Sequence, residues 1–204
     1  MAARRLTPYR QGRLDGLCGI YALVNALRLL CPRLDEDACE RVFCALIKTR
    51  ARQTASPLAV ISHGLSRREL VQLIDPWRRF VRKELGIKLT VKRLKVSNPT
   101  LGGMWRGLCQ ALDGQSIVII GLDGAERHWT VAYAATERTL RVADSCDMRV
   151  ILRARCTVGR TSLRYRLRPS DVLVVRREGR TRKGQTPPRS PVALAHQGGV
   201  HAAA

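Results

Sequence analysis

The sequence predicts an α+β fold, because helical patterns dominate its first part and strand patterns its last. Apolar residues recur at helical spacing in most segments before residue 113, whereas continuous or alternating apolar runs follow from Ser116 onward. Helices and strands that are segregated along a chain are typical of α+β proteins. The length of 204 residues and the hydrophobic content of 45% fit one domain with a substantial core.

The first two helices are predicted from apolar spacing and from residues that start and stop helices. Apolar residues at positions 20, 23, 24, 27 and 30 predict a helix over Cys18–Leu30, with Asp15 as its cap and Pro32 beyond its end. A second helix is predicted over 36–48, capped by Asp35.

The middle of the chain alternates between helix and strand patterns. Ser66 and Glu69 have the spacing of a capping box, and they predict the start of a third helix that is interrupted near Pro76. The segment 88–96 alternates in the manner of a strand, and 99–112 has the pattern of a further helix. One strand is therefore expected before the main run of strands begins.

The last part of the domain is predicted to be β-structure. The apolar run over 116–122 suits a strand that is buried on both faces, and strands over 128–135 and 139–145 form a hairpin. Further strands are predicted over 149–158, 162–167 and 172–176.

A change of composition marks the end of the domain. After Arg177 the chain consists mainly of Gly, Arg, Lys, Pro, Ala and Gln without periodicity. Such a segment cannot bury enough apolar surface to fold. We therefore predict a domain over 1–177 and a disordered tail over 178–204.

The chain is strongly basic, with 37 basic and 16 acidic residues and a formal net charge of +21. Such a charge is typical of proteins that neutralise nucleic-acid phosphates. The basic residues are spread along the chain, however, and no zinc-finger or RNA-recognition motif accompanies them, so nucleic-acid binding is a secondary hypothesis. Attraction to an acidic partner, including an acidic segment of a substrate, is expected as a consequence of the charge.

The seven cysteines do not have the spacing of a metal site. No CxxC pair or mixed pattern of His and Cys ligands is present, so neither a metal nor another cofactor is predicted. The odd number of cysteines, several of them on apolar helix faces, favours free thiols in a reducing compartment over a disulfide framework.

We expect a cytoplasmic protein. The basic start of the chain is followed by polar residues rather than by the apolar core of a secretory signal. The longest apolar stretch, 17–31, contains Asn25 and Arg28 and is too short to span a bilayer, so no membrane partner is expected. Delivery into another cell by a non-classical route stays open.

Cys18 is the candidate nucleophile, because it is predicted to lie at the start of a helix. The reactive form of a cysteine is the thiolate, and the unpaired N–H groups of a first helical turn favour that anion. A neighbouring imidazolium favours it further and can later give its proton to a leaving amine.

His128 is the candidate base that would accompany this thiol. Of the other three histidines, His196 and His201 lie in the predicted tail and His63 lies in a predicted turn. On its strand, His128 shares a face with positions 130 and 132, opposite the apolar face that contains Trp129.

Asp144 is the candidate acid that would orient His128 and stabilise its charged form. Direct opposition of the two residues requires a register in which position 132 faces position 140, which the hairpin loop permits without fixing. Asp147 is the competing acid. Asp144 is favoured because alternation along the strands places it on the same face of the sheet as His128.

The backbone N–H of Cys18 and the side-chain amide of Gln11 are candidate donors to the oxyanion that forms when an acyl bond is attacked. Gly12, Gly16 and Gly19 would let the backbone turn closely around such a site.

These residues resemble those of the papain-like cysteine peptidase superfamily. Gln11, the run 15–19, His128 and Asp144 follow the superfamily's order of Gln, Cys, His and Asp or Asn. Within it the chain is most similar to the bacteriocin-processing peptidase domains and their relatives, and it shares a general likeness with the Josephin deubiquitinases. The resemblance implies a helical half that carries Cys18, packed on an antiparallel sheet that carries His128 and Asp144, with the active site in the cleft between them.

The resemblance covers two windows of the sequence, 11–30 and 116–145. Asp144 is followed by Ser145 where the bacteriocin-processing domains usually have Pro, and no transporter region follows the domain. The substrate class therefore stays open.

Three functions are compatible with these residues. The favoured one is a cysteine peptidase, a thiol hydrolase that cleaves a peptide or isopeptide bond of a protein or peptide substrate through an acyl-enzyme on Cys18. An acyl transferase of transglutaminase type would use the same triad and pass the acyl group to an amine. A basic protein that binds nucleic acid or an acidic partner would contain the same residues without catalysis.

Overall fold

The computed structural model of the protein describes residues 7–12, 15–54, 56–97, 99–124, 127–160 and 164–179. Within these ranges the chain has a mixed α+β fold with five α-helices and a seven-stranded sheet. The helices are α1 (Cys18–Leu30), α2 (Glu36–Ala51), α3 (Pro57–Ser62), α4 (Arg67–Leu85) and α5 (Leu101–Ala111). The strands are β1 (Leu89–Arg93), β2 (Ser116–Gly124), β3 (His128–Ala135), β4 (Thr139–Ala143), β5 (Val150–Leu152), β6 (Cys156–Thr157) and β7 (Tyr165–Arg177).

The sheet has the strand order β1-β7-β2-β3-β4-β5, with antiparallel pairing between all of these neighbours. The short strand β6 pairs with β7 in parallel. Because β7 lies between β1 and β2, the last strand of the domain joins its early and late parts into one sheet.

The sheet is covered by helices on both faces, as the alternation of its side chains requires. One face packs with α1, α2 and α4 through Ile117, Ile119, Trp129, Val131, Leu173 and Val175. The other face packs with α5 through Val118, Ile120, Ala132, Leu140, Val142 and Val172. The helical half expected from the sequence therefore covers one face, and α5 forms a separate layer on the other.

Helix α1 has the predicted bounds, but Asp15 does not cap it. The N-cap residue is Leu17, whose apolar side chain cannot form a capping bond. Asp15 lies two residues too early to cap the helix. The Asp15 carboxylate instead accepts bonds from the backbone N–H groups of Gly12, at 2.6 Å, and Leu17, at 3.1 Å. Asp15 thus shapes the loop before α1 and leaves the first helical turn without a side-chain acceptor.

The start signals of α2 and α4 are confirmed. The Asp35 carboxylate accepts a bond from the Ala38 N–H at 2.7 Å, and Ser66 and Glu69 form both bonds of the capping box. The predicted interruption of α4 near Pro76 is wrong, since the helix continues to Leu85. The buried side chains on both sides of Pro76 hold the helix together where proline cannot donate a backbone bond.

The strands predicted over 162–167 and 172–176 are parts of the single strand β7, as far as the described residues 164–179 show. β7 pairs with β2 on both sides of an irregular segment, since Ile120 faces Val172 and Leu122 faces Leu167. Four residues, 168–171, therefore lie opposite Gly121 alone. We call this segment the β7 bulge.

Two other boundaries differ from the prediction or fall outside the described residues. The strand predicted over 149–158 is divided into β5, a 3₁₀ turn and β6. β7 ends at Arg177, and the predicted tail lies outside the described residues from position 180 onward. In the part of the chain that the structure describes, no helix has the length and apolar character needed to cross a membrane.

The register of the β3–β4 hairpin does not place His128 and Asp144 directly opposite each other. Ala132 faces Val142 rather than residue 140, and Ala135 faces Leu140. Between these pairs β3 contains one extra residue, Tyr133, so the register shifts by one position. This β-bulge is a long-range feature of the sheet, and the loop length alone does not predict it.

The bulge at Tyr133 places Asp144 on the same face of the sheet as His128. Continued from its last pairs, the observed register puts residue 144 opposite Thr130, so His128 and Asp144 are diagonal neighbours on one face. Without the extra residue, Asp144 would face Val131 and would lie on the other face. His128 and Asp144 therefore lie on the same face of the sheet, as expected from the sequence, although they are not directly opposed.

Candidate active site

Cys18 is the first residue of α1 and lines a cleft at the end of the sheet. Its side chain is buried, with 6% of its surface exposed. Because Leu17 makes no capping bond, the first-turn N–H groups of α1 have no side-chain acceptor. A negative charge on the Cys18 sulfur would lie at the positive end of the helix dipole, which favours it.

A close backbone contact fixes the loop that leads to Cys18. The Gly16 N–H donates to the Ile61 carbonyl at 2.6 Å. A Cβ atom on Gly16 would lie 2.8 Å from the backbone nitrogen of Gly64 and 2.9 Å from the carbonyl carbon of His63. Only glycine fits there without movement of backbone, so Gly16 sets the position of the nucleophile relative to residues 61–64.

His128 and Asp144 form a buried hydrogen-bonded pair. The distance between His128 Nε2 and Asp144 Oδ2 is 2.6 Å, and the two residues are 8% and 1% exposed. The other carboxylate oxygen, Oδ1, accepts bonds from the backbone N–H groups of Cys146, at 2.7 Å, and Met148, at 3.3 Å. The acid is therefore held by its own loop and has one oxygen left for His128.

The charges of this pair are set by its surroundings. Burial lowers the pKa of His128, but the hydrogen bond to the Asp144 carboxylate and the neighbouring Cys18 sulfur outweigh it and raise the pKa to about 10. Burial raises the pKa of Asp144, but the bond and charge of His128 hold it below its ordinary value. With Nε2 bonded to Asp144, Nδ1 is the ring nitrogen left to exchange a proton with Cys18.

Asp147, the competing acid, does not contact His128. It has a positive φ of 67°, is exposed, and forms an ion pair with Arg10. Of the two acids named from the sequence, the structure brings Asp144 to His128 and directs Asp147 to the surface.

Gln11 lies between the loops of the nucleophile and the acid, but it does not line the cleft. Its Nε2 donates to the Asp15 carbonyl at a long 3.4 Å, and its Oε1 accepts a bond from the Ser145 hydroxyl at 3.2 Å. Its backbone N–H also donates to the Ser145 carbonyl at 3.1 Å. Gln11 thus connects the residues that precede Cys18 to those that follow Asp144.

The cleft around Cys18 has a volume of about 700 Å³. It is lined by Cys18, by the segments 62–68, 121–123 and 127–129, and by Arg168, Ser170 and Asp171 of the β7 bulge. We call it the Cys18 cleft. Trp129 forms part of its base, where the indole Nε1 donates to the Leu65 carbonyl at 2.7 Å.

Two walls of the Cys18 cleft depend on close contacts of the β7 bulge with its neighbours. A Cβ on Gly121 would lie 2.9 Å from the Trp129 ring and 3.1 Å from the Asp171 Cβ, so the absence of a side chain lets the β7 bulge pack against the sheet. The Arg67 side chain then donates to the Ser170 carbonyl at 2.9 Å and attaches the start of α4 to the bulge.

Sequence reasoning did not identify His63, Arg127 or the β7 bulge as part of the cleft. His63 ends α3, and its Nδ1 lies 3.2 Å from the Ser62 hydroxyl. The proline at position 169, inside a segment otherwise patterned as strand, was the available signal, because proline within a sheet marks an edge or a bulge. The position of the β7 bulge near Cys18 depends on pairing between distant strands, which the local sequence does not specify.

A smaller groove of about 240 Å³ lies elsewhere, lined mainly by Tyr9, Tyr21, Val24, Cys39 and Phe43. None of Cys18, His128 and Asp144 lines it, so it is not the site of their chemistry.

Within the described ranges, His128, Asp144 and Cys146 form the group whose arrangement could hold a metal ion, with ligand atoms within 4.8 Å of one another. His128 and Asp144 already satisfy each other by a short hydrogen bond, and Cys146 is exposed. The pair therefore has its own bonding without an ion.

No protein-family model, curated protein or solved structure matches this chain.

The geometry of the site is suited to acyl transfer through a thiol. A cysteine at a helix start, an imidazole next to it and a buried carboxylate on the far side of that imidazole provide a nucleophile, a proton carrier and a group that stabilises the imidazolium.

The raised pKa of His128 predicts how the stability of the protein depends on pH. Because its pKa in the folded state lies above the value of about 6.5 for a free imidazole, its contribution to stability is complete below about pH 6.5. That contribution is lost as the pH rises toward 10. Asp144, with a lowered pKa, contributes above about pH 4 and loses its contribution below it.

The test uses the Cys18→Ser protein, so that no thiol titrates at position 18. Urea unfolding should show that its free energy of unfolding falls between pH 7 and 10 by about 1–3 kcal/mol more than that of Cys18→Ser/His128→Gln. Cys18→Ser/His63→Gln, which removes an exposed histidine of the cleft, should behave as Cys18→Ser does. Parallel pH profiles of Cys18→Ser and Cys18→Ser/His128→Gln would contradict the raised pKa of His128.

Proposed function

We propose that the protein is a cysteine peptidase of the papain-like type, which hydrolyses a peptide or isopeptide bond through an acyl-enzyme on Cys18. One observation supports this most strongly. The buried His128–Asp144 pair adjoins a cysteine at an uncapped helix start, although the residues come from segments about 110 positions apart in the chain. Each residue type has the position that its role in thiol catalysis requires.

In the first half of the reaction, the Cys18 sulfur attacks the acyl carbon and forms an S–C bond, and the carbonyl electron pair moves to the oxygen. When this intermediate collapses, the C–N bond breaks and the leaving nitrogen takes a proton from His128. The products are a free amine and a thioester on Cys18.

In the second half, water replaces the amine. His128, now neutral, accepts a proton from the water molecule as its oxygen attacks the thioester carbon. The S–C bond then breaks, the carboxylic acid is released, and the thiolate and imidazolium return to their starting state. Asp144 stays ionised throughout and stabilises the imidazolium.

The oxyanion of each intermediate is stabilised by backbone N–H groups at the start of α1 and by the Gln11 amide. The Cys18 N–H can donate to the oxyanion because no side chain caps the first turn of α1. For Gln11 to donate to the oxyanion, its side chain must leave its bonds to the Asp15 carbonyl and the Ser145 hydroxyl and turn into the cleft.

We infer that the reaction takes place in a reducing compartment such as the cytoplasm. Cys18 must stay a free thiol to act, and none of the seven cysteines is paired in a disulfide.

The first prediction concerns the reactivity of the Cys18 thiol. Near pH 6, iodoacetamide should label Cys18 at least about tenfold faster than the exposed Cys44, because Cys18, unlike Cys44, has a helix start and an imidazolium beside it. Peptide mass spectrometry gives the rate for each cysteine. In His128→Ala, the rate at Cys18 should fall to that of Cys44 or below.

Arg41→Ala, on the exposed surface of α2, is the control and should leave the labelling of Cys18 unchanged. Equal labelling of Cys18 and Cys44 in the wild-type protein, with no effect of His128→Ala, would rule out thiol catalysis.

The second prediction separates hydrolysis from acyl transfer. When the wild-type protein acts on a peptide mixture in H₂¹⁸O with a dansyl-labelled alkylamine present, the new carboxyl termini should contain ¹⁸O. Little dansyl label should be incorporated, because water resolves the thioester. Dansyl label in place of ¹⁸O would identify an acyl transferase instead, and Cys18→Ala must abolish either product.

A further inference from the structure

We propose that the Cys18 cleft binds acidic side chains of a protein substrate close to the bond that is cut, through Arg68 and Arg127. The identity of the bond rests on the function proposed above, whereas the recognition of acidic groups follows from the cleft itself and is tested separately.

Two of the four arginines that line the cleft are already used within the fold. Arg67 lies 3.5 Å from the Asp171 carboxylate and donates to the Ser170 carbonyl. Arg168 forms ion pairs with Asp123 and, at 3.8 Å, with Asp171. These two arginines hold the β7 bulge in place and neutralise the acidic groups of the cleft.

The other two arginines have no such partner. Arg68 lies in the first turn of α4 and Arg127 directly precedes β3, and both are exposed. Among the residues that the structure describes, neither side chain has an acidic group within ion-pair distance. Both line the same cleft as Cys18 and His128, so they present positive charge in the cavity that contains the thiol and the imidazole.

The acidic residues of the cleft do not cancel this charge. Asp123 is bound by Arg166 and Arg168, and the hydrogen bond from Arg166 in particular holds its pKa far below the ordinary value. Asp171 lies between Arg67 and Arg168. Among the described residues that line the cleft, each carboxylate is therefore matched by arginines of the fold, and the charges of Arg68 and Arg127 stay in excess.

The start of α1 adds to the positive field of the cleft, because Cys18 begins this helix and its first turn has no side-chain cap. Residues at the start of α4 also line the cleft, but Ser66 and the Glu69 carboxylate cap that helix. Positive groups concentrated in a cleft attract anionic ligands more strongly than the same groups spread over a surface.

The observations favour an acidic peptide over a nucleic acid as the occupant. The excess charge lies beside a thiol and an imidazole that act on acyl carbon, which a peptide contains and a nucleic acid does not. Two of the four arginines that line the cleft are already paired with Asp123 and Asp171, so the cleft has too few unpaired cations for a continuous chain of phosphates. A peptide can place one or two carboxylates at Arg68 and Arg127 and neutral residues elsewhere.

The test measures binding with the full chain carrying Cys18→Ala, so that nothing is cut. Fluorescence anisotropy compares two labelled peptides of equal length, one alternating Glu and Gly and the other alternating Gln and Gly. The acidic peptide should bind more tightly, and Arg68→Glu/Arg127→Glu should weaken its binding by about tenfold or more. Arg68→Gln/Arg127→Gln should have a smaller effect in the same direction.

The matched control is Arg41→Glu/Arg155→Glu, which changes the net charge equally at exposed positions outside the cleft. It should weaken binding much less. Equal weakening by the two double variants, or no preference for Glu over Gln, would overturn the proposal. Tighter binding of a short oligothymidylate that is lost in the same cleft variant would also overturn it, in favour of a nucleic-acid ligand.

A second readout separates this proposal from the proposed function. Mass spectrometry of a peptide mixture cut by the wild-type protein should show Asp and Glu enriched near the cleaved bonds, and Arg68→Glu/Arg127→Glu should remove that enrichment. If Cys18 proves unreactive toward iodoacetamide, the hydrolase assignment fails while the anisotropy result still decides whether the cleft binds acidic peptides.

Discussion

The hydrogen bond between His128 and Asp144 is the interaction on which the rest of the site depends. Burial of both side chains disfavours their charged forms, and their mutual bond, together with the Cys18 sulfur and the backbone N–H of Cys146, keeps the imidazolium and carboxylate stable. The sheet and its loops provide the geometry for that bond. The bulge at Tyr133 puts the two residues on one face, and two backbone N–H groups hold the second carboxylate oxygen.

Close backbone packing then brings Cys18 to this pair. Gly16 lies against residues 63 and 64, and Gly121 lies under the Trp129 ring, so both walls of the cleft approach where a side chain would keep them apart. The β7 bulge and the start of α4, connected through Arg67, complete the cavity. The cleft is thus built from irregular parts of regular elements, which is where bulges commonly occur in enzymes.

The sequence predicted the local features of this structure and missed the long-range ones. The bounds of α1, the Asp35 cap and the Ser66–Glu69 capping box depend on neighbouring residues, and all three are found. The hairpin register and the β7 bulge depend on pairing between distant strands, which no local pattern specifies. Asp144 contacts His128 although the two are not directly opposed, because a diagonal neighbour lies on the same face of the sheet. Asp15 lies two residues before the cap position that the sequence suggested.

¹⁵N NMR of the His128 ring, in wild-type protein and in Asp144→Asn, measures whether His128 is held protonated between Cys18 and Asp144. We expect both ring nitrogens of the wild-type residue to stay protonated at pH 8 and the titration midpoint to fall in Asp144→Asn. A midpoint near 6.5, that of a free imidazole, in both proteins would contradict this expectation.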